Sequence, residues 1–311
     1  MAAAKQVLAV DVGGTEIKAA LLGTGSDSTL TVLARTRRPT PRGIDGTGTA
    51  RAVVGAIGEL AREFGEQHAI AAVGVVVPGV VHDGVGVYSA NLGWRNFPFH
   101  STLIQALRLP IAFGHDVAAG GLAEQRMGAA RGCRDVVVMP IGTGIAAALI
   151  MDGELRTSGG YAGEIGHVDV CHGELCGCGQ TGCLEAMASS AAIARRYAAR
   201  TGRPVAGGAE VVAAVGAGDP VAIEVWEAAL DALARGIRVL ASLVGPEVVV
   251  LGGGLAMAGE RLVEPLATRL AELLPFQRMP ELRLAELGDE AGSLGAGLLA
   301  LDMIDPSEGA V

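Results

Sequence analysis

The chain has 311 residues, half of them hydrophobic, with ten aromatics and 47 glycines. That length suffices for one large domain or two ordinary ones with real cores, and the aliphatic, glycine-rich composition suits the buried strands, covering helices and tight turns of an α/β fold. A formal net charge of -9 argues against a large nucleic-acid surface,.

Residues 7–22, "VLAVDVGGTEIKAALL", read as a buried strand, a Gly-Gly-Thr turn and a second strand. The N-terminus runs straight into that strand with no apolar leader and cleavage site, so no secretory signal is expected. The conspicuous basic run "RTRRPTPR", 35–42, reads as an exposed strand end and turn. A helix over 49–67, a strand over 70–81, the loop "YSANLGWRNFPF" at 88–99, a strand over 110–116 and a helix over 117–128 follow. "VVVMPIGTGIAAALI", 136–150, repeats the grammar of the first hairpin, which suggests two related halves. This most apolar region falls short of a membrane span and is broken by Pro140, Gly142 and Gly144, so a soluble, cytoplasmic protein is expected. Beyond a cysteine-rich segment come helices at about 186–200, 208–215 and 219–243, then "EVVVLGGGLA" as strand and glycine turn, and "AGSLGAGLLALDMI" as glycine turn into helix. The order βββαβαβ, repeated, fits a mixed sheet with helices on its faces.

Three features carry chemistry. In "DVGGT", the Gly13-Gly14-Thr15 turn lets backbone N–H groups approach an anion, and Asp11 at the strand end is placed to hold hydrated Mg²⁺. Lys18 complements phosphate charge if its side chain reaches back. The turn Gly142-Thr143-Gly144, the glycines Gly252, Gly253 and Gly254, and "GSLGAG" at 292–297 add to a nucleotide-binding reading. No glycine turn is followed by Lys-Ser or Lys-Thr, and no Gly-x-Gly-x-x-Gly opens the first helix, which argues against a Walker loop and a Rossmann dehydrogenase.

The stretch "GEIGHVDVCHGELCGCGQTGCLE", 163–185, holds four of the five cysteines. Cys176, Cys178 and Cys183 with His167 make a closed tetrahedral Zn²⁺ set; Cys171 and His172 are rival ligands. Two disulfides are the competing reading, disfavoured by the odd cysteine count and a reducing compartment. Four protein ligands leave the metal no open position, so its role is scaffolding. Glu164 and Glu185 flank the metal loop, where paired carboxylates suit polyhydroxyl binding, and His167 has a second ring nitrogen for substrate. Asp116, where a strand gives way to a helix, has two uses open to it. It can cap the helix, the commoner use at such a junction, or take a proton from an attacking hydroxyl; the neighbouring phosphate turns and polyol loop favour the second.

"DVGGT", "GTG", "GEIGH", "CGCGQTGCLEAMAS" and "LGGG", in that order, resemble the ROK family (repressor, open reading frame, kinase) of sugar kinases, within the actin-like ATPase superfamily, over essentially the whole chain. The resemblance implies a two-lobed actin-like (ribonuclease H-like) α/β fold, mixed sheets flanked by helices, with a structural zinc loop. It implies a small lobe of residues 1–115 plus 297–311 and a large lobe of 116–296. Asp116 resembles the catalytic base; Glu164, His167 and Glu185 resemble sugar ligands, with Asn91 and Gly79 near the sugar. His167, Cys176, Cys178 and Cys183 match the zinc ligands, and the Gly13–Thr15 and Gly142–Gly144 turns match the phosphate loops, with Gly252–Gly254 near adenosine. The implied activity is ATP- and Mg²⁺-dependent phosphorylation of a hexose, most readily at the 6-hydroxyl, by a homodimer or homotetramer. Two positions depart from the family pattern: Glu16 replaces a common Lys, and His115 replaces an Asn that contacts sugar. His115 therefore points to an alternative sugar, such as an epimer, an N-acetylated hexosamine or another polyol. The family's sugar-sensing repressors carry a helix-turn-helix ahead of the first hairpin; about six residues precede it here, so no nucleic-acid partner is expected, and a catalytically inactive sugar sensor is the minor alternative.

Overall fold

The computed structural model describes residues 5–24 and 30–305, and the chain forms two units. The first holds residues up to Ala123, Thr157–Tyr161 and residues from Glu290 onward; the second holds Glu124–Arg156 and Ala162–Asp289. The expected lobe boundaries at 115/116 and 296/297 follow motif positions, and the extreme ends of the small lobe, 1–4 and 306–311, lie outside the described residues. Among the described residues no helix is long and apolar enough to cross a membrane.

In the first unit the chain runs β1 (Gln6–Val12), β2 (Glu16–Thr24), β3 (Leu30–Pro39), α1 (Gly46–Gly65) and β4 (Ile70–Val77). A small three-stranded sheet follows, β5 (Val80–His82), β6 (Val85–Tyr88) and β7 (Arg95–Phe97), then α2 (Phe99–Leu107), β8 (Ile111–His115) and α3 (Asp116–Met127). The main sheet is ordered β3-β2-β1-β4-β8, antiparallel through β3, β2 and β1 and parallel through β1, β4 and β8. Alternate residues of β1 go to opposite faces: Leu8, Val10 and Val12 join a core with Val53, Ile57 and Leu60 of α1, while Val7 and Ala9 join Ala296 and Ala300. Both faces are buried over β1, β2 and β4, which is why these strands read as near-continuous hydrophobic runs, whereas the edge strand β3 alternates with exposed residues,.

The second unit holds β9 (Val136–Pro140), β10 (Ala148–Met151), β11 (Glu154–Arg156), α4 (Leu184–Ala188), α5 (Ser190–Thr201), α6 (Gly208–Gly216), α7 (Pro220–Leu243), β12 (Val248–Gly252), α8 (Glu260–Leu273) and β13 (Glu281–Leu284). Its sheet is ordered β11-β10-β9-β12-β13. Strand for strand this matches the first sheet in order and sense, two antiparallel pairings followed by two parallel ones. The repeated hairpin grammar thus extends to the whole strand order. The Asp219-Pro220 pair starts α7 as its chemistry dictates: the Asp219 carboxylate accepts from the N–H groups of Val221 and Ala222, and proline fills the first helical position,.

Several elements differ from expectation. The expected strand over 70–81 ends at Val77, because Pro78 and Gly79 break it before β5. The 88–99 loop contains β7, and the expected helix over 186–200 is two helices separated by Ser189, which caps the second by accepting from Ala192 N–H. The glycines of "GSLGAG" lie inside α9 (Ala291–Ile304) of the first unit. They serve close packing: a Cβ at Gly295 would stand 2.0 Å from the Ala119 carbonyl oxygen of α3. That contact keeps the first turns of α3 with the first unit.

Candidate active site

The first glycine turn closes on itself, with Gly13 N–H donating to Glu16 O at 2.8 Å. Its three carbonyls are all tied back by residues just after β3. Thr40 Oγ1 donates to Gly13 O (2.7 Å), Thr40 N–H to Thr15 O (2.9 Å) and an Arg42 nitrogen to Gly14 O (2.5 Å). Turned this way, the loop keeps its acceptors away from an incoming anion, as a phosphate cradle requires. Asp11, on β1, pairs in register with Lys18 on β2, and a Cβ at Gly292 would stand 2.5 Å from its carboxylate, so the start of α9 closes over it. Glu16, the residue that departs from the family's Lys, forms an ion pair with Arg37.

Asn91 lies in the loop 89–94, which is folded by Gly93 N–H donating to Ser89 O and Ser89 N–H to Trp94 O, and is pinned by the buried Trp94 ring. Gly79 sits at φ +99°, where a Cβ would meet the Tyr88 carbonyl oxygen at 2.1 Å, so the turn after β4 admits glycine only,. Asp116 opens α3 directly after β8. Its Oδ1 accepts from Val117 N–H at 2.7 Å and lies 3.1 Å from His115 Nε2. Burial pushes the Asp116 carboxyl up to about 6, against the opposing pull of backbone N–H groups at the helix start,. The bond to Val117 N–H uses Oδ1, so capping the helix and accepting a proton do not compete for the whole carboxylate.

In the second unit the Gly142-Thr143-Gly144 turn has the corresponding position between β9 and β10. Gly142 N–H donates to Gly144 O, and Gly142 O accepts from Ser190 N–H at the start of α5. Glu185 Oε2 accepts from Ile145 N–H at 2.9 Å, so this carboxylate braces the turn with one oxygen. Gly252 ends β12 and Gly253 and Gly254 follow it; Ile141 N–H donates to Gly252 O, and Leu255 N–H to Ile141 O, joining the two glycine segments. "GEIGH" presses on the same hairpin: Cβ atoms at Gly163 and Gly166 would stand 1.8 and 2.1 Å from the carbonyl oxygens of Ala147 and Ile145. This contact fixes Glu164 and His167 beside the turn.

The ligand atoms of His167, Cys176, Cys178 and Cys183 all lie within 4.8 Å of one another. The Sγ atoms of Cys178 and Cys183 are 3.7 Å apart, and Cys176 Sγ is 3.8 Å from His167 Nδ1. A tetrahedral Zn²⁺ with Zn–S bonds of about 2.3 Å separates its sulfurs by about 3.8 Å, so the four residues fit the ion. The loop reaches this shape through backbone bonds of Cys176 N–H to Gln180 O and Gly182 N–H to Glu174 O. Cys171 and His172 stand outside the cluster. His172 Nδ1 accepts from Glu174 N–H and its Nε2 faces Cys183 O at 2.9 Å, so both ring nitrogens are engaged in shaping the loop. His167 turns its other nitrogen, Nε2, toward Glu164 Oε2 at 3.9 Å. Burial pushes the Cys183 thiol up to about 12 when no ion is bound.

Thr40 and Arg42 belong to the run 35–42 that reads in the sequence only as an exposed strand end and turn. The clue was local: with β3 paired to β2, Pro39 stands opposite Glu16, so the residues after it must run beside the glycine turn.

The sequence profile of the ROK family matches residues 7–303, and the chain belongs to that family. A glucokinase of Halalkalibacterium halodurans is 31% identical, with 93% of each chain aligned. An N-acetylgalactosamine kinase of Shewanella sp. is 32% identical over 93% of this chain and 95% of its own. A ROK family glucokinase of Streptomyces griseus, solved in complex with glucose and AMPPNP, superposes with a TM-score of 0.77 at 29% identity, covering 95% of this chain and 99% of that one. The fold is thus that of the actin-like sugar kinases.

Proposed function

We propose that this chain is an ATP-dependent hexose kinase that phosphorylates glucose or a related sugar at its 6-hydroxyl, with Asp116 as general base. The observation that carries the mechanism is the Asp116 carboxyl, pushed by burial to about 6 at a strand-to-helix junction. A base with that affinity is ionised at neutral pH yet strong enough to take a hydroxyl proton, a contribution of about 10²–10⁴-fold. The glucokinase relative and the glucose–AMPPNP complex support the sugar and the donor.

In this reading, Asn91, His115 and Asp116 engage sugar hydroxyls, as do Glu164, His167 and Glu185, with Gly79 shaping the loop beside Asn91. The turns Gly13–Thr15 and Gly142–Gly144 receive phosphate oxygens on the backbone N–H groups they do not use to close themselves, those of Gly14 and Thr15 and of Thr143 and Gly144; Lys18 contributes positive charge, and Gly252–Gly254 adjoin the nucleoside,. Asp11 would hold Mg²⁺, which supplies neutralisation of phosphate charge. Asp116 orients the attacking hydroxyl and accepts its proton through the carboxylate, and most of the rate arises from positioning and electrostatics. His167, Cys176, Cys178 and Cys183 hold Zn²⁺ as a scaffold that keeps Glu164 and Glu185 in place. A cytoplasmic homodimer or homotetramer completes the reading.

A second reading, an N-acetylated hexosamine or another hexose epimer as acceptor, is favoured by His115 and by the hexosamine kinase relative. ADP release from Mg·ATP against glucose, mannose, allose, fructose, N-acetylglucosamine and N-acetylmannosamine tests both. One strong substrate, abolished by Asp116→Asn, supports the kinase and identifies its sugar. Silence across the panel with the fold intact would overturn the hexose reading.

A further inference from the structure

Resting on the kinase reading above, the geometry points to Arg42 as a positioning residue that couples nucleotide binding to sugar binding. Its guanidinium is forked between two loops that the proposal gives to different substrates. One terminal nitrogen donates to Gly14 O of the phosphate turn at 2.5 Å and the other to Asn91 O of the sugar loop at 2.7 Å. The loops already lie together, since a Cβ at Gly14 would stand 3.9 Å from Asn91 Cβ. The segment that carries Arg42 is anchored at both ends to the same two loops. Thr40 binds Gly13 O and Thr15 O, while a Cβ at Gly46 would stand 1.9 Å from Gly93 O of the sugar loop.

Arg42 is exposed and both its contacts are to backbone carbonyls, so it adds little to the core. What it does fix is the position of one loop relative to the other. A planar guanidinium holds two acceptors in a set geometry, which a lysine ammonium on a flexible stem does not. A ligand that orders either loop therefore orders Arg42 and, through it, the other loop. The second ligand then meets a loop whose ordering is already done, which is positive coupling between the two sites.

The test is a four-cornered binding measurement by calorimetry on the full chain: the preferred sugar with and without Mg·AMPPNP, and Mg·AMPPNP with and without sugar. In the unsubstituted protein each ligand is expected to tighten the other by at least about five-fold, the low end of typical coupling. In Arg42→Ala and Arg42→Lys the mutual tightening should fall below about two-fold. Melting temperature and the circular dichroism spectrum check that both variants fold. Unchanged mutual tightening in folded variants would overturn the assignment. So would weaker binding of each ligand alone with the coupling intact, which marks a merely structural brace. An unsubstituted protein that binds and phosphorylates sugar without mutual tightening would overturn the coupling alone. One that binds neither ligand would overturn the kinase reading and the coupling with it.

Discussion

Lowering the pH through 6 should remove activity while relieving a penalty on stability, because both depend on the same partly buried carboxyl. Burial raises Asp116 from the ordinary 3.8 to about 6. If the ionised form is the base, about 90% of the protein is competent at pH 7, about half at pH 6 and about 10% at pH 5. An aspartate of ordinary acidity would still be about 90% ionised at pH 5. The expected profile of kcat/KM is therefore an acid limb with its midpoint near 6 and a fall of close to tenfold between pH 7 and pH 5. Stability moves the other way. A carboxyl that binds its proton more tightly in the native than in the unfolded chain destabilises the fold above pH 6, and that penalty fades as the pH falls from 6 toward 3.8. The full rise corresponds to about 3 kcal/mol at most,. Asp116→Asn should thus lose about 10²–10⁴-fold in kcat and yet melt no lower than the unsubstituted protein at pH 7.5, with any excess stability shrinking below pH 6. Coupled-enzyme rates between pH 5 and 8, run beside thermal melts of both proteins, measure all of this. An acid limb at 4 or below, or an Asn variant within tenfold of full activity, would refute the assignment of the base.

The metal cluster should carry close to one Zn²⁺ per chain by elemental analysis. Chelation or Cys178→Ser should release it and lower the melting temperature by several degrees, since burial then leaves Cys183 as a neutral thiol with no ligand role,. Gly144→Ala places a Cβ 2.5 Å from Glu185 Oε2 and so displaces the carboxylate from Ile145 N–H; KM for ATP should rise about tenfold or more while the zinc content stays unchanged. His115→Asn restores the family's usual residue beside the base. It should change the ranking of sugars in kcat/KM, read on the same panel; an identical ranking would show that His115 does not set specificity.

How much of this was legible beforehand varies with the kind of residue. The metal set was readable because C-x-C-x4-C fixes three ligands within a span too short for the chain to separate them, and the distances among Cys176, Cys178, Cys183 and His167 agree with it. The choice of His167 over His172 was not readable. Both are near in sequence, and only the fold directs the nitrogens of His172 to Glu174 and Cys183 backbone. The glycines of 292–297 are ambiguous in sequence for a related reason. Glycine marks both a phosphate turn and a close helix contact, and composition does not distinguish them until Ala119 is seen beneath Gly295. Arg42 was hidden because its partners are backbone carbonyls of Gly14 and Asn91, which leave no pattern in side-chain identity.

By itself the sequence determined the α/β class, the two glycine hairpins and the cysteine loop, because periodicity and short-range spacing are properties of a linear chain; the family followed from the resemblance of its motifs. Tertiary structure alone decided the matching order of the two five-stranded sheets, the burial that raises Asp116, the bracing of the second turn by Glu185 and the grip of Arg42 on two loops. Each of these depends on groups brought together from distant segments or on the solvent removed around them, and neither distance through space nor dielectric environment is written in the order of residues.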